Sequence, residues 1–270
     1  MAGRPAERPA DALLDEPSDQ QYVGARDLTH WPSAGGRLAA RGAHRLRGWL
    51  QPHQVLALTL AVGFVLAAVL TALAGVVYDG VTEADGVALL DRPALDAVMG
   101  ERTPVGNSIA AGYALVGGSI GMSVLATAIA VALAVAWRRW TPVVLVAVTA
   151  AGSLALTVIG KAVVGRTRPP LSDAIPPFES TPSFPSGHSL NSIAIAGIIA
   201  YLLVREQRSA RVRALTISLA AAFAATMGLS RVYLGAHWLS DVLVAWALGL
   251  AWLTLVIVAH RLLLTVRRPG

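Results

Sequence analysis

The sequence contains no cysteine. Disulfides and thiolate metal sites are therefore excluded, and cysteine usage says nothing about redox compartment. Charge is also scarce. Only 14% of the 270 residues are charged, against about 25% in soluble domains. Lysine is nearly absent: of 22 basic residues, Lys161 alone is a lysine. What fills the chain instead is apolar. The hydrophobic share is 55% and the mean hydropathy is +0.59, which is a membrane composition. The net charge is +6. The arginines fall in short clusters between apolar runs, a pattern of membrane orientation and not of nucleic-acid binding.

The polar first 35 residues, rich in Pro, Ala, Asp and Arg, read as a disordered tail. Arg37, Arg41, Arg45 and Arg47 follow among Leu38, Leu46, Trp49 and Leu50. That stretch fits a basic helix on anionic lipid or a solvated juxtamembrane linker. Apolar runs at 54–77, 115–136, 142–160, 190–204, 214–229 and from 242 to about 259 predict six spans, since about 20 residues cross a bilayer. The first run and its leader are too long for an ordinary signal peptide. Between spans one and two lies a polar loop, 78–113. Within it, Asp91-Arg92-Pro93 opens a short helix with an apolar face at Leu89, Leu90, Leu95, Val98 and Met99, suited to the water–lipid boundary. The expected architecture is all-α: an integral membrane six-helix bundle with a short interfacial helix. Residues 1–50 form a cytoplasmic tail, 51–262 the membrane domain and 263–270 a second tail.

Six spans place 13 basic residues on one side and six on the other: Arg92, Arg102, Lys161, Arg166, Arg168 and Arg231. The richer side is cytoplasmic, with both termini. Four of the six lie near Ser186–His188 or in the last outer loop, where orientation does not require charge, so they need another explanation.

Three outer segments supply one. In Phe184-Pro185-Ser186-Gly187-His188-Ser189, Pro185 bars a helix from entering and Ser186 is a natural N-cap. Free backbone N–H groups at Gly187 and His188 then face an anion at the positive end of a helix dipole. In Lys161-Ala-Val-Val-Gly-Arg-Thr-Arg168-Pro169, the two cations are two helical turns apart and share a face if the helix continues. In Ser230-Arg231-Val-Tyr-Leu-Gly-Ala-His237-Trp-Leu-Ser-Asp241, His237 and Asp241 are four apart and meet on one helix face. A carboxylate on one imidazole nitrogen fixes the tautomer and leaves the other nitrogen free. Singly, these are capped loops, snorkelling charges and helix-surface pairs. Together they bring cations, two histidines, a carboxylate and a helix N-terminus to one depth, as phosphoryl transfer requires.

These segments resemble the three signature motifs of the type 2 phosphatidic acid phosphatases, whose superfamily includes the vanadium haloperoxidases. All three match in order over about 161–241. The resemblance implies His237 as nucleophile, Asp241 as its orienter and His188 as general acid and then base. It implies Lys161, Arg168, Ser186, Gly187 and Arg231 as the phosphate holders, with no metal and no cofactor. A lipid phosphate or diphosphate would be cleaved at the outer face of the cell membrane, with surrounding lipids as partners and no nucleic acid. A polyprenyl diphosphate is the first expectation, phosphatidate or phosphatidylglycerol phosphate the alternative. Vanadate-dependent haloperoxidase activity and non-catalytic lipid binding or transport are the other classes. The 86–99 helix is a candidate lid or wall for the lipid. Oligomeric state is not legible.

Overall fold

The computed structural model describes residues 22–23, 26–46, 54, 57, 61, 63, 65 and 86–267. The expected first span, 54–77, lies mostly outside the described residues. Of the expected tail, a two-residue antiparallel ladder joins β1 (Tyr22–Val23) to β2 (Arg26–Asp27), and α1 (Ala34–Leu46) follows. Residues between them dock on the C-terminal end of the chain. Trp31 Nε1 donates to Thr265 Oγ1 at 3.2 Å. The Arg261 guanidinium lies 4.3 Å from the centre of the Trp31 ring and donates to the carbonyls of Leu28 and His30.

The stretch expected as a polar loop to residue 113 contains more helix than that. A 3₁₀ turn, Gly86–Leu90, leads into α2 (Asp91–Gly100), the expected interfacial helix. A further helix, α3 (Pro104–Gly117), follows. Its start is chemically specified. Thr103 is extended and its hydroxyl accepts from Gly106 N at 3.0 Å, while Pro104 fills the first turn, where its missing N–H costs nothing.

Among the described residues, five long helices make the bundle: α4 (Ser119–Trp137), α5 (Thr141–Val164), α6 (Gly187–Glu206), α7 (Ala210–Tyr233) and α8 (Leu239–Arg267). Each is long and apolar enough to cross a membrane. At the centre, α6 packs against α5, α7 and α8. Leu156, Leu190, Ile198, Leu202, Trp252 and Val256 form the interior. Close approach needs a small residue at one point: a Cβ on Gly249 would stand 3.0 Å from the Leu190 carbonyl oxygen. The outward faces are apolar too. Ile120, Val124 and Val135 of α4 and Leu215, Ile217 and Leu219 of α7 are exposed, as lipid-facing surfaces must be.

The antiparallel helices gather the ends that carry the motifs. The C-termini of α5 and α7, the N-termini of α6 and α8, the loop 165–186 and the α2–α3 pair lie together. The arginine clusters at 138–139 and 205–213 lie at the other end.

Candidate active site

Ser186 caps α6. Its hydroxyl accepts from Ser189 N at 3.4 Å and from Ser189 Oγ at 2.8 Å, and its own N–H donates to the Asp241 carbonyl at 3.3 Å. The cap holds the first turn of α6 against the start of α8. His188 leaves that turn with Nε2 3.2 Å from the Ala114 carbonyl of α3. A carbonyl only accepts, so Nε2 carries the proton and Nδ1 faces the site.

His237 comes from the turn between α7 and α8. Gly235 makes that turn with φ +66°, and a Cβ there would lie 2.4 Å from the Asp173 carbonyl oxygen. The imidazole is buried, with Nδ1 3.6 Å from Asp241 Oδ2. Asp241 Oδ2 also accepts from Ser183 Oγ at 2.5 Å and from Trp238 N at 3.0 Å. On the other side of the ring, Arg168 Nη1 lies 3.2 Å from Nε2. A guanidinium only donates, so Nε2 offers its lone pair to the site. Burial pushes the His237 pKa down to about 4, against the pull of Asp241.

Between the histidines lies Glu179, which the sequence reading did not single out. Its Oε1 is 3.7 Å from His188 Nδ1 and its Oε2 is 3.8 Å from His237 Nε2. Arg168 Nη2 donates to Oε2 at 2.7 Å, and Arg231 Nη2 donates to Oε1. Burial alone would raise the Glu179 pKa. Arg231, His237 and Arg168 overcome it and hold the carboxyl at about 2. Arg231 is fully buried, and its Nε and Nη1 have no hydrogen-bond partner among the described residues. Buried donors without acceptors are costly. They belong to the guanidinium whose Nη2 holds Glu179, in a seat where two imidazoles and two guanidiniums converge on one anionic group.

The other predicted residues stand further back. Lys161 Nζ reaches Thr181 Oγ1 at 3.2 Å and the Pro182 carbonyl, so it braces the loop that carries Glu179. Gly187 packs on α5, where a Cβ would meet Thr157 Cγ2 at 3.1 Å. The expected shared helix face of Lys161 and Arg168 does not exist. Helix α5 stops at Val164 because Gly165 turns left-handed, with φ +63°. Arg168 arrives by the loop, fixed by the carbonyls of Thr181 at 2.7 Å and Ala236 at 2.5 Å.

Behind Asp241 lies a second charged layer. Arg166 Nη1 donates to Asp241 Oδ1 at 2.6 Å, and its Nη2 donates to Asp91 Oδ2 at 2.7 Å. The sequence reading counted Arg166 only as an outer charge and Asp91 only as a helix start. Arg166 lies inside the Lys161–Pro169 segment and Asp91 outside all three, but spacing marks neither for this role, because each partner is 75 residues away or more.

Residues 142–263 match the PAP2 superfamily model. Over 88 residues the chain is 39% identical to phosphatidylglycerophosphatase B of Bacillus subtilis (strain 168). That alignment covers 32% of this chain and 42% of the relative, so it spans under half of the relative's length. The crystal structure of a transmembrane PAP2-type phosphatidylglycerolphosphate phosphatase from Bacillus subtilis is similar with a TM-score of 0.61 and 28% identity, covering 70% of this chain and 93% of that one.

Proposed function

We propose, for a chain that belongs to the PAP2 superfamily through residues 142–263, that the protein is a membrane lipid phosphatase working through a phosphohistidine. The observation that carries this reading is the seat itself. His237 Nε2 and His188 Nδ1 face one anion-sized position from two sides, and Arg231, whose Nη2 holds the anion there, keeps two further buried donors without an acceptor among the described residues.

The chemistry follows from the orientations. The Nε2 lone pair of His237 attacks phosphorus. The bond to the leaving oxygen breaks, and that oxygen takes a proton from His188 Nδ1, His188 being doubly protonated in this step by the proton that the phosphate monoester brings. Asp241 stabilises the positive charge that develops on the His237 ring. Arg168 and Arg231 hold phosphoryl oxygens. Water then gives its proton to His188 Nδ1, attacks phosphorus and breaks the N–P bond, releasing phosphate and neutral His237.

A phosphomonoester lipid of the phosphatidylglycerol phosphate type is the substrate best supported, because relatives carry that activity in their names. It takes precedence over a polyprenyl diphosphate, the first expectation from the sequence, since the motifs read phosphate and say nothing about tails. The tail has a place to lie. An apolar groove of about 330 Å³ runs between α4, α6 and α7, lined by Met122, Ala126, Ile195, Ala196, Ala220 and Phe223. It begins two turns below His188. The charge asymmetry supports an outer-face site with both termini cytoplasmic.

The test is purified protein against a panel of lipid monophosphates and diphosphates, beside His237→Ala. Wild type is expected to release phosphate from phosphatidylglycerol phosphate, insensitive to EDTA and inhibited by vanadate, and His237→Ala to release none. Full activity in the mutant would refute the mechanism, and halide oxidation with vanadate would move the protein to another class.

A further inference from the structure

Asp91 opens α2, far from the three motifs in sequence, yet it is 4% exposed and fully engaged. Its Oδ1 accepts from Ser240 N at 2.8 Å. Its Oδ2 accepts from Ser240 Oγ at 2.7 Å and from Arg166 Nη2 at 2.7 Å. Arg166 turns its other nitrogen to Asp241 Oδ1 at 2.6 Å and to Ser240 Oγ at 2.8 Å, and lies 5.6 Å from the Trp238 ring centre. One guanidinium therefore serves two buried carboxylates. Asp241 in turn sends its remaining oxygen toward His237 Nδ1.

We propose that Asp91 is a positioning residue for the nucleophile: by sharing Arg166 with Asp241 it sets the carboxylate that orients His237, and so places that carboxylate under the control of α2. This rests on the phosphatase reading above.

Charge and geometry both require the shared arrangement. With Asp91 present, the single charge of Arg166 is divided between two acceptors held in fixed directions. Without Asp91, Asp241 is the one carboxylate of the pair left on Arg166. The guanidinium then draws the carboxylate toward itself and withdraws the electron density that the His237 ring needs when it becomes positive. At these distances the division of one guanidinium between two buried carboxylates is not a minor detail.

The seat of α2 is built to be held. At its start, Arg92 pairs with Asp96 at 2.7 Å and with Asp173 at 2.8 Å. Just past its end, Arg102 donates to the Tyr233 carbonyl at 2.9 Å and to the Asp173 carbonyl at 2.8 Å. Just before it, Leu89 and Leu90 are exposed, so the apolar side of this turn faces the lipid boundary. A helix clamped on the site and wetted by lipid joins the membrane surface to the tautomer of the nucleophile.

The experiment uses the full chain in liposomes with phosphatidylglycerol phosphate labelled in its terminal phosphate. Phosphohistidine trapped by rapid quenching counts active sites, so that misfolded protein drops out of the rate. Asp91→Asn is expected to lower kcat per labelled site by about 10- to 100-fold, as loss of an outer partner does, with KM within about twofold. Asp91→Glu is expected to recover most of that rate, and Arg166→Lys to behave like Asp91→Asn because an ammonium cannot bridge both acids. A lowered melting temperature with an unchanged kcat per labelled site in Asp91→Asn overturns the inference and leaves the phosphatase reading intact. Absence of any label or released phosphate in the wild type overturns the phosphatase reading itself.

Discussion

His237 Nε2 stands 3.8 Å from Glu179 Oε2, so the atom that would attack phosphorus faces a carboxylate. Arg168 and Arg231 hold that carboxylate, and it is ionised above about pH 2. A phosphoryl group meeting the same guanidiniums must displace it or share them with it. Glu179→Gln removes the repulsion while keeping the shape. Vanadate and inorganic phosphate are expected to inhibit the variant at least about tenfold more tightly than wild type, a change of about 1.4 kcal/mol that is modest for a charge pair at this range. Equal inhibition constants would mean that Glu179 swings clear without cost.

The acid side of His237 yields a second expectation. Its pKa falls from the ordinary 6.5 to about 4 because burial penalises the imidazolium more than Asp241 supports it. The nucleophile is therefore neutral and ready throughout the physiological range. The same shift acts on stability. Between pH 6.5 and 4 the unfolded chain binds a proton that the folded chain refuses, so this group's contribution falls as pH falls through that window. The full shift corresponds to about 3 kcal/mol. Thermal unfolding at pH 7, 5.5 and 4.5 is expected to show a steeper decline for wild type than for His237→Gln.

Asp241→Asn tests the orienting carboxylate directly. The amide keeps the volume but presents an N–H where an acceptor is needed, which favours the wrong tautomer of His237. By the logic of other carboxylate–histidine pairs, kcat should drop by about 10²- to 10⁴-fold. Vanadate affinity should change little, because Arg168 and Arg231 remain. A parallel loss of vanadate binding would assign Asp241 to the architecture of the seat.

What could be read in advance was whatever depends on near neighbours. The Ser186 cap is local geometry and is present; His237 and Asp241 do meet, 3.6 Å apart, but His237 lies in the turn before α8, which begins at Leu239, and not on a shared helix face. Reading Lys161 and Arg168 as one helix face failed on a local feature as well, since Gly165 offers a left-handed exit that ends α5. Thr103-Pro104 was a legible helix start that the acidic loop around it obscured. Glu179, Arg166 and Asp91 are different. Their roles exist only once α7 and α8 fold back on the loop after α5, and no spacing in one sequence announces that.

Gly235 gives a prediction about how His237 is delivered. Its positive φ costs a residue with a Cβ about 1–2 kcal/mol. A Cβ would also press on the Asp173 carbonyl at 2.4 Å, which cannot yield as a flexible side chain would. Gly235→Ala should lower the melting temperature and reduce kcat together, because the displaced turn carries His237. A variant with wild-type kcat would show that the turn and the imidazole move independently.

The groove between α4, α6 and α7 decides whether the substrate is held by its head alone. Ala196 and Ala220 keep it open, and its lining is apolar from Met122 to Phe223. Ala196→Trp would fill the space of several methylenes, each worth about 0.8 kcal/mol of burial, so a long acyl chain should lose about tenfold or more in apparent affinity. A soluble phosphate ester has no tail to lose, and its KM should stay where it is in wild type. The comparison is between two substrates on one variant, so an unfolded fraction cancels. If both KM values rise alike, the substitution has disturbed the seat around His188, and the tail lies elsewhere. If neither rises, the lipid is recognised by its phosphate and its chains remain in the bilayer.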